Sequence, residues 1–283
     1  MTDAVEIVEV APRDGLQNEA RTVPVAEKVA LVDALSGCGF RRIEAASFVS
    51  PKWVPQMANS DEVLARIARA EGVRYAALAP NLKGYERARD ARADEVAVFA
   101  AASEGFSRAN TNVGMDEALG RLAPVAEAAK ADGIPVRGYV SVVVECPFDG
   151  AVDPVAVARV VAALRVMGCY EVSLGDTIGR ARPDAVDAML DAVLGEMEPD
   201  ALAGHFHDTD GRALENVDVA LARGLRVFDA AAGGLGGCPY APGAAGNVAT
   251  EAVAAHLKDR GFTTGVDAAK LAAAAEMARG MRS

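Results

Sequence analysis

Ala201-Leu202-Ala203-Gly204-His205-Phe206-His207-Asp208 is a short apolar run that ends in polar residues. Read as a strand, its residues i and i+2 face the same side. His205 and His207 then aim at one point, and Phe206 faces the other way. The chain has only 3 histidines, so two in one tripeptide account for most of its imidazole chemistry. Two converging imidazoles make half of a divalent-metal site. Taken alone, the pair reads more readily as two histidines hydrogen-bonded in a polar pocket, so the rest of the chain has to decide.

The run is followed by a helix-period stretch, 213–222, and this strand–helix unit recurs along the chain. Strands are expected at 5–11, 42–46, 73–78, 95–100, 136–144, 170–174, 201–207 and 227–231. The helices between and after them are expected at 25–36, 61–70, 83–91, 116–131, 154–167, 183–194, 213–222 and 248–258. Eight β-α units in series imply an α/β fold, a (β/α)8 TIM barrel. A doubly wound open sheet is the runner-up, but it usually carries a glycine-rich turn after the first strand. Here that turn is Ala11-Pro12-Arg13-Asp14-Gly15-Leu16-Gln17-Asn18-Glu19, charged rather than glycine-rich. No linker or low-complexity tract interrupts the pattern, so one domain over 1–283 is expected. An additional C-terminal helix at 267–279 would cap the barrel or join a subunit interface of a homo-oligomer.

Composition narrows the function classes. With 283 residues and 51% hydrophobic content, the chain can bury a large core without disulfides or structural metals. A net charge of −11 disfavours nucleic acid and anionic membranes as partners. Cys38, Cys146, Cys169 and Cys238 are widely spaced, which argues against a zinc ribbon and suggests free thiols in a reducing compartment. The acidic N-terminus carries no apolar leader, and no stretch reaches the length of a membrane span. A cytoplasmic location is the expectation.

In such barrels the chemistry sits where strands end and their loops begin. Arg13, Asp14 and Gln17 follow the first strand, and Glu44 interrupts the second. Arg137 and Tyr139 share a face of the fifth, and Asp176 follows the sixth. His205, His207 and Asp208 end the seventh, and Gly246-Asn247 lies beyond the eighth. Each has a structural alternative: a turn salt bridge for Arg13 and Asp14, an arginine partner inside the barrel for Glu44, a helix cap for Asp176. Six strand ends carrying such residues are not independent, however, and all fall where side chains converge on the barrel axis. Two imidazoles, one carboxylate and one amide oxygen suit Mg2+ or Mn2+ better than Zn2+. The expected ligands are Asp14, His205, His207 and Asn247, with Asp208 as a reserve ligand or a partner to one. The segment 233–246 holds six glycines around Cys238. Phosphate binding is one reading of it; a thiol on a mobile loop, serving as acid, base or nucleophile, is the other.

These segments resemble the 3-hydroxy-3-methylglutaryl-CoA lyase family, within the metal-dependent lyases and aldol-type synthases built on a TIM barrel. The likeness is carried by 10–19, by Glu44-Ala45-Ala46-Ser47-Phe48-Val49-Ser50-Pro51 and by Arg137-Gly138-Tyr139-Val140-Ser141. It continues in Ser173-Leu174-Gly175-Asp176-Thr177-Ile178-Gly179, His205-Phe206-His207-Asp208-Thr209 and Gly233-Gly234-Leu235-Gly236-Gly237-Cys238-Pro239-Tyr240. The last of these is the most specific, together with 246–251. The resemblance implies cleavage of a 3-hydroxy-3-methylglutaryl thioester, an acyl-CoA, into acetyl-CoA and acetoacetate. Its usual context is leucine breakdown and ketone-body formation. It places the metal ligands on Asp14, His205, His207 and Asn247, the catalytic arginine on Arg13 and the loop cysteine on Cys238. Glu44 and Asp176 match acidic active-site positions.

Chemically, the C2–C3 bond breaks as the C3 hydroxyl loses its proton, with Asp14 or His205 as base. Arg13 would stabilise the thioester enolate oxygen, and Cys238 would protonate the enolate carbon. Val142, Glu145 and Asp210 depart from the family pattern, which expects a cysteine, a glycine and an aromatic there. They leave room for a related lyase or aldol-type synthase acting on a longer branched 3-hydroxyacyl-CoA. Synthases commonly add a regulatory domain, and no residues remain here for one. A non-enzymatic barrel would have no need of polar residues at six strand ends.

Overall fold

The computed structural model describes residues 4–237 and 246–282. Eight parallel strands close into a barrel: β1 Glu6–Glu9, β2 Arg42–Ser47, β3 Arg74–Leu78, β4 Glu95–Ala101, β5 Val136–Ser141, β6 Glu171–Asp176, β7 Leu202–Phe206 and β8 Val227–Ala230. Each strand pairs with the next in the chain, and β8 closes on β1 through Glu6 to Val227 and Val8 to Asp229. This is the TIM barrel expected from the eight units. No described helix is long and apolar enough to cross a membrane.

Local chemistry sets the element ends. The helix Pro154–Met167 starts with proline at its first position, where its missing N–H costs nothing, and Asp153 accepts the Val155 N–H at 2.9 Å. It stops at Gly168, whose φ of +96° suits glycine. The last helix, Ala268–Arg279, is capped by Asp267 and packs on the helix Val25–Ser36 and on Ala232–Gly234. It therefore joins the outer ring. The core proper lies between barrel and helices, where Ile43, Tyr75, Val96, Val172, Leu202 and Phe228 are buried. Phe206 belongs to this layer as expected, and Gly204 leaves space for it: a Cβ there would lie 2.7 Å from the Phe206 ring and 3.0 Å from that of Phe228.

Some element ends differ from expectation. The first strand stops at Glu9, and Ala11–Gly15 winds into a tight turn of π-helical type. The fifth stops at Ser141 rather than running through the valines to 144. Val142 adopts φ +56°, uncommon for a β-branched residue, and its N–H is held by Thr177 Oγ1 at 2.8 Å. Tertiary context overrides the strand preference of Val142-Val143-Val144. A small hairpin follows, Glu145–Cys146 paired with Gly150–Ala151. The helix expected at 61–70 is Ser60–Arg66, and the helix Glu104–Thr111, capped by Ser103, had no counterpart in the sequence reading. Cys38, Cys146 and Cys169 are free and buried.

The barrel interior is ionic rather than apolar over much of its length. Arg42 donates to Glu6 at 2.7 Å and to both Glu171 oxygens at 2.8 and 3.1 Å. Its remaining contact is the Tyr170 hydroxyl, which donates onward to Glu95 at 2.8 Å. Arg137 sits above, sharing Glu171 at 2.6 Å. Burying these charges is tolerable because each cation has hydrogen-bonded anionic partners.

Candidate metal centre and active site

At the C-terminal end of the barrel, Asp14, His205 and His207 come together as one group able to hold a metal ion. Asp14 rides on the turn after β1, His205 points inward from β7, and His207 lies just beyond that strand. Asp14 Oδ2 is 3.8 Å from His205 Nε2 and 3.9 Å from His207 Nε2. These separations are too long for hydrogen bonds. Two metal–ligand bonds of about 2.1 Å span up to about 4 Å between donors, so one cation can reach all three atoms. Asn247 adjoins this group. Its backbone bridges to His207 in antiparallel fashion. Its Nδ2 donates to Asp14 Oδ2 at 2.8 Å and to the Leu235 carbonyl at 3.2 Å. Its Oδ1 is buried with no hydrogen-bond partner. A buried amide oxygen without a donor is costly unless a cation or water completes it. Three of the four expected ligands therefore form one group whose donor chemistry fits a divalent metal, and the fourth, Asn247, lies against it.

The electrostatics agree with ligands ready for a cation. Burial would raise the Asp14 carboxyl, but Arg13 and the two imidazoles bring it down to about 2. Burial, reinforced by the charge of His205, pushes His207 down to about 4, so that ring is neutral near pH 7. Burial also opposes charge on His205, but the hydrogen bond to Asp229 and the charge of Asp14 outweigh it and shift the ring upward.

Arg13 is buried beside this group. Its Nε donates to Glu44 Oε2 at 2.7 Å, and Nη1 donates to Asp14 Oδ1 at 2.6 Å. Its guanidinium lies 5.4 Å from the Tyr139 ring centroid. The Tyr139 hydroxyl donates to Glu44 Oε2 at 3.1 Å and accepts from Arg137 Nη1 at 2.8 Å. Glu44 thus fixes the direction of Arg13 from below. The turn after β1 permits this because Gly15 passes close to Leu235, where a Cβ would lie 2.8 Å from the Leu235 Cβ.

The other expected residues are placed differently. Asp176 turns its carboxylate into its own loop, accepting N–H groups of Gly179, Arg180 and Ala181 at 3.1, 3.3 and 3.0 Å. Burial raises it to about 6 against these three bonds. Asp208 accepts the Ala213 N–H at 3.0 Å, at the start of the next helix, and stands outside the metal group. Cys238 lies outside the described residues. The roots of its loop are described. Asn18 Nδ2 donates to the Gly237 carbonyl at 2.9 Å. Gly236 and Gly246, with φ of +133° and +83°, pass so close that a Cβ on Gly246 would strike the Gly236 backbone. The two ends of the loop therefore meet over Asn247.

Two carboxylates escaped the sequence reading. Asp229, on β8, faces the interior beside His205 and contacts its Nδ1 at 3.1 Å. The signal was an acid inside the apolar run Val227-Phe228-Asp229-Ala230-Ala231, on the parity that faces His205. Glu9 is fully buried outside the barrel wall. Its Oε1 accepts N–H groups of Ala11 and Ala232 at 2.8 and 3.0 Å, and Oε2 accepts the Thr250 hydroxyl at 2.8 Å. It joins the segments that precede Arg13, precede the glycine loop and follow Asn247.

The sequence model of the HMGL-like family matches residues 4–278. A hydroxymethylglutaryl-CoA lyase of Pseudomonas mevalonii is 56% identical over 264 residues, covering 93% of this chain and 88% of the relative. A Pseudomonas aeruginosa protein described as a 3-hydroxy-3-isohexenylglutaryl-CoA/hydroxy-methylglutaryl-CoA lyase is also 56% identical, over 93% of this chain and 88% of its own length. Among solved structures, an HMG-CoA lyase from Brucella melitensis superposes with a TM-score of 0.98 at 61% identity, covering 99% of both chains.

Proposed function

Because the chain belongs to the HMGL-like family, we infer that it is a hydroxymethylglutaryl-CoA lyase, splitting 3-hydroxy-3-methylglutaryl-CoA into acetyl-CoA and acetoacetate. The observation on the molecule itself that carries this reading is the convergence of Asp14, His205 and His207 beside a buried arginine, with Asn247 against Asp14. The relatives are named as lyases, which does not favour the synthase alternative.

Asp14, His205, His207 and Asn247 would hold Mg2+ or Mn2+, which supplies Lewis acidity toward substrate oxygens. The rest of the step falls to protein groups. The substrate C3 hydroxyl gives up its proton to Asp14 or His205, and the C2–C3 electron pair moves onto the departing thioester as an enolate. Arg13 would donate to the enolate oxygen. Glu44 and Tyr139 keep its guanidinium directed before charge develops, so little reorganisation is needed. Cys238 would then deliver a proton to the enolate carbon. Asp176, through its three backbone bonds, shapes the loop after β6.

The test is direct. Metal-stripped protein is incubated with 3-hydroxy-3-methylglutaryl-CoA and with longer 3-hydroxyacyl-CoA thioesters, with and without Mn2+, and acetoacetate is measured. Metal-dependent acetoacetate from the methylglutaryl thioester is expected; its absence in folded, metal-loaded protein would overturn the reading.

A further inference from the structure

Asp229 is buried at the centre of a closed ring of polar contacts. Its Oδ2 lies 3.1 Å from His205 Nδ1 and accepts the Ser173 hydroxyl at 2.7 Å. Arg137 grips both of its oxygens, at 2.8 and 3.1 Å. From Arg137 the ring continues through Tyr139 to Glu44 and Arg13, then to Asp14 and back across the ligand gap to His205. The two imidazoles are held unequally. His205 has a carboxylate behind it, whereas His207 Nδ1 is buried without a hydrogen-bond partner. The side chain of Asp229 has no measurable exposure, so water does not dilute the interaction.

A histidine in this setting has a choice of which nitrogen carries the proton. An anion at Nδ1 favours the proton there and leaves the Nε2 lone pair free, and Nε2 is the atom facing Asp14. Arg137 and Ser173 keep the carboxylate in line: the first matches its two oxygens as a fork, and the second donates to the same oxygen that faces His205. We propose that Asp229 is a positioning residue of this site, fixing His205 in the tautomer with Nδ1 protonated so that Nε2 is presented to the cation. The proposal rests on the metal-site reading above and adds a group that touches neither substrate nor metal.

Its test begins with the wild-type protein, free of metal and labelled with 15N-histidine. Only 3 histidines contribute, and His205 is assigned by the resonance lost in His205→Gln. Above the pH where the ring loses its extra proton, the Nδ1–H tautomer is expected. An Nε2–H form or an even mixture overturns the proposal. Asp229→Asn, checked for fold by circular dichroism, should weaken Mn2+ binding about 10- to 100-fold, read by electron paramagnetic resonance titration without substrate. Unchanged affinity in a folded Asp229→Asn protein also overturns it. If that variant does not fold, Ser173→Ala removes one restraint on the same oxygen and keeps the charge. It should give a mixed tautomer and several-fold weaker Mn2+ binding, and wild-type values for both would count against the proposal. His205→Ala separates the two levels. If it still binds Mn2+ like wild type, the metal-site reading falls. If it loses Mn2+ while Asp229→Asn does not, only the role of Asp229 falls.

Discussion

At the scale of single residues, the ligand group makes unequal demands. His205→Ala and His207→Ala should each abolish turnover while leaving the barrel folded, because the main core lies outside the barrel wall. A steady-state assay paired with circular dichroism checks this, and a variant retaining even a tenth of wild-type activity would remove that ring from the site. Arg13→Gln should lower kcat about 100- to 1,000-fold, as for loss of one donor to a developing oxyanion. Glu44→Gln keeps the shape but removes the charge that aims Arg13, so a fall in kcat with KM little changed is the expected pattern. A rise in KM alone would assign Glu44 to substrate binding instead.

At the scale of elements, Glu9 ties β1 to the segments on either side of the glycine loop, and its ionisation links those joints to pH. Burial raises its pKa from 4.5 to about 7. The folded state therefore holds a proton that the unfolded chain releases near pH 4.5. The group adds stability below that value, loses it as pH rises to about 7, and changes nothing beyond. Glu9→Gln can keep both backbone bonds through its oxygen, and the Thr250 hydroxyl can reverse to accept. The variant should flatten the fall of unfolding free energy between pH 5 and 7, measured by urea denaturation. A wild-type slope in the variant would assign that pH dependence elsewhere. Gly246→Ala at φ +83° meets the Gly236 backbone, so it should lower the melting temperature by several degrees and cut activity further than stability. The ends of elements also mark where sequence reading stopped. Eight strands were legible because each apolar run is short and followed by a helix-period stretch. The end of β5 was not, since three valines favour extended backbone locally and only the contact with Thr177 turns Val142 away from it. Asp14, His205 and His207, which the structure brings together, were legible as polar residues at strand ends. Asp229 was not, since its meaning depends on the β7–β8 register, which no local pattern encodes.

At the scale of the whole molecule, the ionic barrel interior and the apolar outer shell divide the work. The shell supplies stability without metal, so a chelator should stop turnover while the far-ultraviolet spectrum persists. Re-adding Mn2+ should restore activity and raise the melting temperature in a saturable way, the added stability reaching about 2.7 kcal/mol at a hundred times its dissociation constant. Unfolding on chelation alone would show the cation to be structural. One further consequence comes from the last helix. Arg279 binds Glu251 at 2.7 Å, Glu251 accepts the Gly233 N–H at 3.0 Å, and Arg282 donates to the Gly234 carbonyl. The root of the cysteine loop is thus fastened by residues that the ribosome makes some 45 positions later. All eight barrel strands thus leave the ribosome before the residues that fasten that loop root.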